Sequence, residues 1–186
     1  MDELCVSIES ALARPGIAAL LTLDGDRLVP TSTPNAPQEF CDAIATGVAV
    51  GLDGAACGEA AFRNETVICA DIAGDSRWEA YREAVRVCGF ASGWSTPVRG
   101  TDGEVVATFA VFCRVAAEPV PEDLELTRNA TALAGVLLQR FRAQAAQQEL
   151  DLRYRSLVEL AQEGVMLHRY GIVEYANPAM ARILRE

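Results

Sequence analysis

The chain of 186 residues contains no lysine, so all 16 of its basic residues are arginine. A Walker-type phosphate loop, a Schiff-base site and a lysine general base are thereby excluded. The one histidine, His168, lies close to the C-terminus. Everything before it therefore lacks an imidazole base, a Ser-His-Asp triad, a histidine haem ligand and a common zinc site. No apolar run reaches transmembrane length, and the acidic opening Met1-Asp2-Glu3 is not the basic start of a signal peptide. Positive charge is scarce as well. A net charge of −10 argues against a nucleic-acid footprint and against an anionic membrane surface. These absences predict a cytoplasmic protein with no nucleic-acid partner, no membrane partner, no metal and no cofactor.

What is present supports a core, since 51% of the residues are hydrophobic. Six cysteines, at positions 5, 41, 57, 69, 88 and 113, form no CxxC pair and sit beside apolar stretches. They read as reduced, mostly buried thiols. Leu4, Ile8 and Leu12 give a short amphipathic helix that stops at Pro15-Gly16. Strands over 17–23 and 27–32 flank the turn signal Asp24-Gly25-Asp26. A helix over 37–45 turns Phe40 and Ile44 inward, and the Gly- and Ala-rich stretch 47–58 reads as a loop. A short helix from Cys57 to Phe62, a strand over 66–70 and a helix over 77–87 follow. Asp71, Asp75 and Ser76 are the candidate caps of that last helix, and Gly89 would close it.

Strands over 91–98 and 104–114 are joined by a turn at Gly100–Gly103. The second is apolar on both faces and is therefore placed centrally. From Pro121 a helical pattern runs to about Gln162, a rod of roughly 60 Å. Leu126, Ala130, Leu133, Leu137 and Phe141 form one stripe on it, and Leu150, Tyr154, Leu157 and Ala161 a second. A polar break in heptad register separates them. The stripes predict a coiled-coil seam and a homodimer. After Gly164 come two short strands around Tyr170-Gly171 and a helix starting at Asn177-Pro178. Two strands and a helix cannot bury a core alone, so the chain is expected to stop inside a second domain.

The ordered features CGEAAF, Val67 to Ile72, Trp78 with Tyr81, WSTPV and the Asp-Gly turn resemble a bacterial GAF domain of sensor kinases and cyclic-di-GMP enzymes. The resemblance covers about residues 4–143, with Ala107 where such domains often carry Gly. Tyr154 to Leu184, with YANPAM, resembles the start of a PAS domain. The implied layout is a GAF-like domain over 1–143, a signalling helix over 144–162 and a PAS-like start over 163–186. The implied fold class is α+β. An antiparallel sheet carries a terminal-helix bundle on one face and pocket-forming loops and short helices on the other. The implied role is sensory: a small molecule is bound, or two copies associate through the terminal helices, to control an effector lying elsewhere.

Subfamily chemistry narrows this expectation. Cys88 is followed by Gly89, not by the histidine of bilin-binding members. Haem-binding members need a proximal histidine, and cyclic-nucleotide-binding ones an Asn-Lys pattern; neither is present. CGEAA at Cys57 and the position of Cys88 resemble members that reduce free methionine sulfoxide, but GFASGWST carries no acidic residue for the substrate ammonium. The expectation is a non-enzyme, with a ligand-free structural dimer module and the thiol enzyme as alternatives. The candidate ligand residues are Trp94, Thr96, Ser92, Trp78, Tyr81, Cys57, Thr108 and Arg63. Period two places Ser92, Trp94 and Thr96 on one face, taken here as the pocket face. The candidate dimer residues are Leu126, Leu133, Leu137, Phe141, Leu150 and Leu157.

Overall fold

The computed structural model describes residues 1–184 as two units, Met1–Leu138 and a second beginning at Gln139. In the first unit, α1 (Asp2–Ala11) turns Cys5 and Ile8 inward. The hairpin β1 (Gly16–Asp24) and β2 (Arg27–Ser32) closes at Gly25, whose φ of +60° suits a residue without Cβ. Next come α2 (Gln38–Ile44), β3 (Val48–Ala49), α3 (Ala55–Arg63) and β4 (Val67–Cys69). A 3-10 segment (Ser76–Tyr81), α4 (Arg82–Cys88), β5 (Ser92–Arg99) and β6 (Val105–Cys113) follow. The helix α5 (Pro121–Leu160) continues into the second unit.

The strands form one sheet in the order β3-β2-β1-β6-β5-β4, with every neighbouring pair antiparallel. β6 lies between β1 and β5, as its two apolar faces predict. Each face carries its own core. On one, Ala18, Leu20, Trp94, Val98 and Phe109 meet Cys5 and Ile8 of α1 and Ala130, Ala134 and Leu138 of α5. On the other, Ala19, Leu21, Ala110 and Phe112 meet α2, α3, the 3-10 segment and α4.

Two local expectations change. The stretch read as a loop holds β3, in which Val48 pairs with Leu28 at the sheet edge, and the start of α3. Two paired residues are too few to show a period of two. The helix expected over 77–87 is two elements, split at Tyr81, whose backbone leaves the helical region (φ −115°, ψ 3°). Asp75 caps the first of them, accepting from Arg77 N through its side chain. A 3-10 turn eclipses residues three apart, so Trp78 and Tyr81 share one side of it.

The part of α5 in the first unit buries Thr127, Ala130, Thr131, Ala134, Gly135 and Leu138. That buried stripe is made of small residues and packs on the sheet. The predicted seam is divided by it. Ala130 is buried, Leu126 and Leu137 are half-buried, and Leu133 and Phe141 are exposed.

The second unit pairs β7 (Met166–Arg169) with β8 (Ile172–Ala176) in an antiparallel hairpin and adds α6 (Pro178–Ile183). His168 stands exposed on β7, and Leu150 and Leu157 are exposed on α5. Asn177 is fully buried and uses its whole side chain. Its Oδ1 accepts from Val165 N at 2.9 Å and Met180 N at 2.8 Å. Its Nδ2 donates to Val158 O at 3.0 Å and Glu163 O at 2.9 Å. An Asn amide has two donors and two lone pairs, so nothing is left over. Among the described residues, no helix is long and apolar enough to cross a membrane.

Candidate functional site

The face of the sheet away from α1 and α5 encloses a cavity of about 10 Å³, room for roughly one water-sized body. Leu21 and Phe112 form its floor, Phe40, Ile44 and Val48 its sides, and Ala55, Cys57, Trp78 and Tyr81 its cover. Aromatic rings fill the surrounding space. Phe40 meets Phe90 and Phe112 edge-on at centroid distances of 5.4 and 4.9 Å, and Trp78 meets Phe112 at 5.9 Å.

Of the residues singled out in the sequence, Trp78, Tyr81 and Cys57 line this cavity, and Thr108 stands beside Cys57. Trp94, Ser92 and Thr96 do not reach it. Trp94 lies on the helix-covered face, where its Nε1 donates to Thr127 Oγ1 at 3.0 Å. Ser92 Oγ donates to Val115 O at 2.7 Å, and Thr96 Oγ1 is hydrogen-bonded to Thr66 Oγ1 at 3.1 Å. The alternate set of β5 residues, which includes Ser95, points to the cavity side. A strand buried on both faces reveals its two sets by alternation, but not which set meets which layer. Ser95 was missed for that reason. Arg63 ends α3 half-exposed and donates to Glu59 at 2.6 Å.

Cys57 Sγ lies between the hydroxyls of Ser95 and Thr108. Burial pushes this thiol up to about 11, and the two hydroxyls oppose that weakly. Neither hydroxyl has a well-formed hydrogen bond among the described residues, nor has Trp78 Nε1. The Cys88 thiol is also pushed up, by burial and then by the Glu39 charge. A catalytic thiol needs the opposite shift, toward thiolate. Both thiols are held in the protonated form.

The cover is fastened by charge. Arg77 Nε donates to both carboxylate oxygens of Asp75 at 2.9 Å, and Arg77 Nη1 pairs with Glu59 on α3. Cys69 Sγ donates to Asp75 Oδ2 at 3.2 Å. Arg77 holds Asp75 well below the usual carboxylate range, down to about 2. Burial alone would raise Glu59, but Arg77 and Arg63 outweigh it and leave it lowered. Depressed carboxylates stabilise the fold above their unfolded values, 3.8 for Asp75 and 4.5 for Glu59. That contribution is lost as pH falls through the folded values. Urea denaturation of the protein and of Arg77→Ala across a pH series should therefore give curves that converge toward pH 2. A stability gap that stays constant over that range contradicts an ionic clasp.

The second unit has an open groove of about 480 Å³ between the C-terminal part of α5 and the hairpin, lined by Tyr154, Val158, Leu167 and Tyr175 among others. β7 is exposed along its whole length.

Residues 1–139 match the family model for the GAF domain. The chain belongs to the GAF domain family. Residues 152–186 match the model for the PAS domain. The GAF chain is 29% identical over 149 residues to the methyl sulfide methyltransferase-associated sensor of Methanosarcina acetivorans. That alignment covers 78% of the chain but only 15% of the sensor. Among solved structures, the GAF domain of an Acinetobacter phosphoenolpyruvate-protein phosphotransferase superposes with a TM-score of 0.60 at 14% identity. It covers 78% of this chain and 83% of that one. The type II free methionine-R-sulfoxide reductase of Thermoplasma acidophilum superposes at 0.57 with 17% identity, covering 76% and 91% of the two chains. At these identities the structures share the fold alone. The GAF unit is a sensory or regulatory domain of the kind that signalling proteins carry.

Proposed function

We propose that this chain is a cytoplasmic input module that works as a homodimer. The state of the GAF cavity sets the position of α5, and α5 passes that state to an effector elsewhere. Residues 1–143 act as the sensor, 144–162 as the signalling helix and 163–186 as part of a PAS-type domain. The observation that carries the reading is β5 itself. Ser95 faces the cavity side beside Cys57, while its neighbour Trp94 is hydrogen-bonded to Thr127 of α5. A shift of one strand is felt on both faces at once.

Leu133, Phe141, Leu150 and Leu157 are large, apolar and exposed on α5, which supports its use as a seam between two copies. Sedimentation equilibrium tests this. The protein is expected to be a dimer at micromolar concentration, and Leu150→Glu with Leu157→Glu should shift it to monomer. A monomeric parent protein overturns the reading.

The small cavity supports a second reading, a dimer module whose pocket is simply filled core. A thermal-shift screen separates the two, since a ligand of the folded state stabilises by mass action and a filled core responds to nothing. The thiol-reductase reading draws no support from cysteines whose thiols are held protonated.

A further inference from the structure

The part of α5 in the first unit spends one side on the sheet, where Thr127, Ala130, Thr131, Ala134 and Leu138 are buried. Leu133, Val136 and Arg140 come out on the other side of the helix, and all three are exposed. From Leu133 and Val136, an alternation of three and four residues leads through Arg140, Ala143 and Gln147 to Leu150, Tyr154 and Leu157. That is the heptad repeat of a two-stranded coil, kept without a break over more than three heptads. Its five large apolar members are all exposed. The apparent break comes from counting Leu126, Leu137 and Phe141 in the stripe. Leu126 and Leu137 are half-buried, and Phe141 lies about 100° around the helix from Arg140.

Charge indicates what covers this face. With a net charge of −10, two copies meet without repulsion only along a side poor in carboxylates. The positions that border the repeat are neutral over its middle: Gln139, Gln144 and Ala146. Further on they carry one charge of each sign, Asp151 and Arg153. No carboxylate occurs at all between Val136 and Gln148. The two polar members of the repeat decide the direction. A parallel pair sets each residue against its own copy, so Gln147 meets Gln147. An antiparallel pair with the same overlap sets Gln147 against Leu150 and Arg140 against Leu157, where neither finds a polar partner. The Gln147 amide gives one N–H to Asp151 Oδ1 at 2.9 Å. Its second N–H and its carbonyl are left for a copy of itself.

We infer that α5 meets α5 of a second copy in parallel along this face, with Arg140 and Gln147 inside the seam as its two polar layers. The apolar layers hold the pair together. The Gln147 layer fixes the register, as one polar layer in a coiled coil does at a cost in stability. The Arg140 layer loosens the seam, because two guanidinium groups face each other with no carboxylate beside them. The inference rests on the homodimer reading and names the face and direction which that reading leaves open.

Sedimentation equilibrium of the full chain tests the face, with circular dichroism to check that each variant is folded. Val136 and Phe141 are both exposed, so glutamate at either leaves the core of the protomer intact. Val136→Glu is expected to weaken the dimer about a hundredfold, and Phe141→Glu by less than about threefold. Arg140→Leu should tighten it about tenfold, while Arg142→Leu, off the repeat, leaves it unchanged. Direction is read from Val136→Cys under mild oxidation. A parallel seam brings the two new thiols together and gives a covalent dimer that the parent protein does not form. Dissociation by Phe141→Glu, a dimer indifferent to Val136→Glu, or no tightening by Arg140→Leu overturns this face and leaves the homodimer reading standing. A dimer in which Val136→Cys does not cross-link overturns the parallel direction. A monomeric parent protein leaves the face to a different partner and overturns the inference together with the homodimer reading.

Discussion

Replacing Trp94 with alanine should cost about 4 kcal/mol of folding stability, the range for deleting a large buried aromatic from a packed core. Trp94 is 2% exposed and packs among residues of α1, α5 and the sheet. Its loss removes the largest side chain between the sheet and the terminal helices. The loss is mainly one of packing. Thr127 Oγ1 also donates to Asp123 O at 2.7 Å, so its hydroxyl keeps a partner when the indole is gone. Trp94→Phe separates the two contributions. It keeps a ring in place and removes the indole N–H, and should cost about 1–2 kcal/mol. Urea denaturation followed by far-ultraviolet circular dichroism reads both. A cost below about 1 kcal/mol for Trp94→Ala would mean that α5 is not held to the sheet by this contact.

The second large effect is expected where α3 crosses the short edge strand. A Cβ on Gly58 would stand 2.1 Å from Ala49 O, and one on Gly54 would stand 1.9 Å from the same oxygen. Both obstacles are main chain, so no side chain can swing aside. In an exposed helix, Gly→Ala gains about 1 kcal/mol from propensity. At Gly58 the clash should reverse that sign and cost about 3 kcal/mol, the upper end for overpacking. Gly74→Ala is the control. Its Cβ would meet only the Asp71 side chain, at 3.6 Å, and should change stability by less than about 0.5 kcal/mol. If Gly58→Ala matches the control, α3 does not sit as closely on Ala49 as described. Since α3 carries Cys57 to the cavity, the same variant is expected to disturb the site.

Most of the elements of this fold could be read from residue spacing. The hairpin at Gly25, the double-sided β6 and the length of α5 follow from turn signals and apolar periods, and the family resemblance supplied the order of the layers. The orientation of β5 could not be read. Ser92, Trp94 and Thr96 alternate with Gly93, Ser95 and Pro97, and both sets are buried. Only the register with its neighbours decides which set meets α3. The stripe of α5 that packs on the sheet was hidden for a different reason. Thr127, Thr131 and Gly135 do not count as apolar, yet they are what a close approach requires. A Cβ on Gly135 would lie 2.7 Å from Arg99 O. At the site, Trp78, Tyr81 and Cys57 stood out by chemistry. Ser95 did not, because its place on the cavity side depends on the register of β5 and not on its residue type.

Asn177 has a mechanical consequence. Its amide plane joins the main chain of α5 at Val158 to Glu163, to Val165 beside β7 and to the first turn of α6. Four short bonds to one planar group leave almost no torsional play. Twisting the end of α5 about its own axis must drag the hairpin and α6 with it, as a keyed shaft turns its gear. A flexible linker would absorb the same twist as heat. The junction is stiff at this point, and its stiffness resides in a single uncharged side chain.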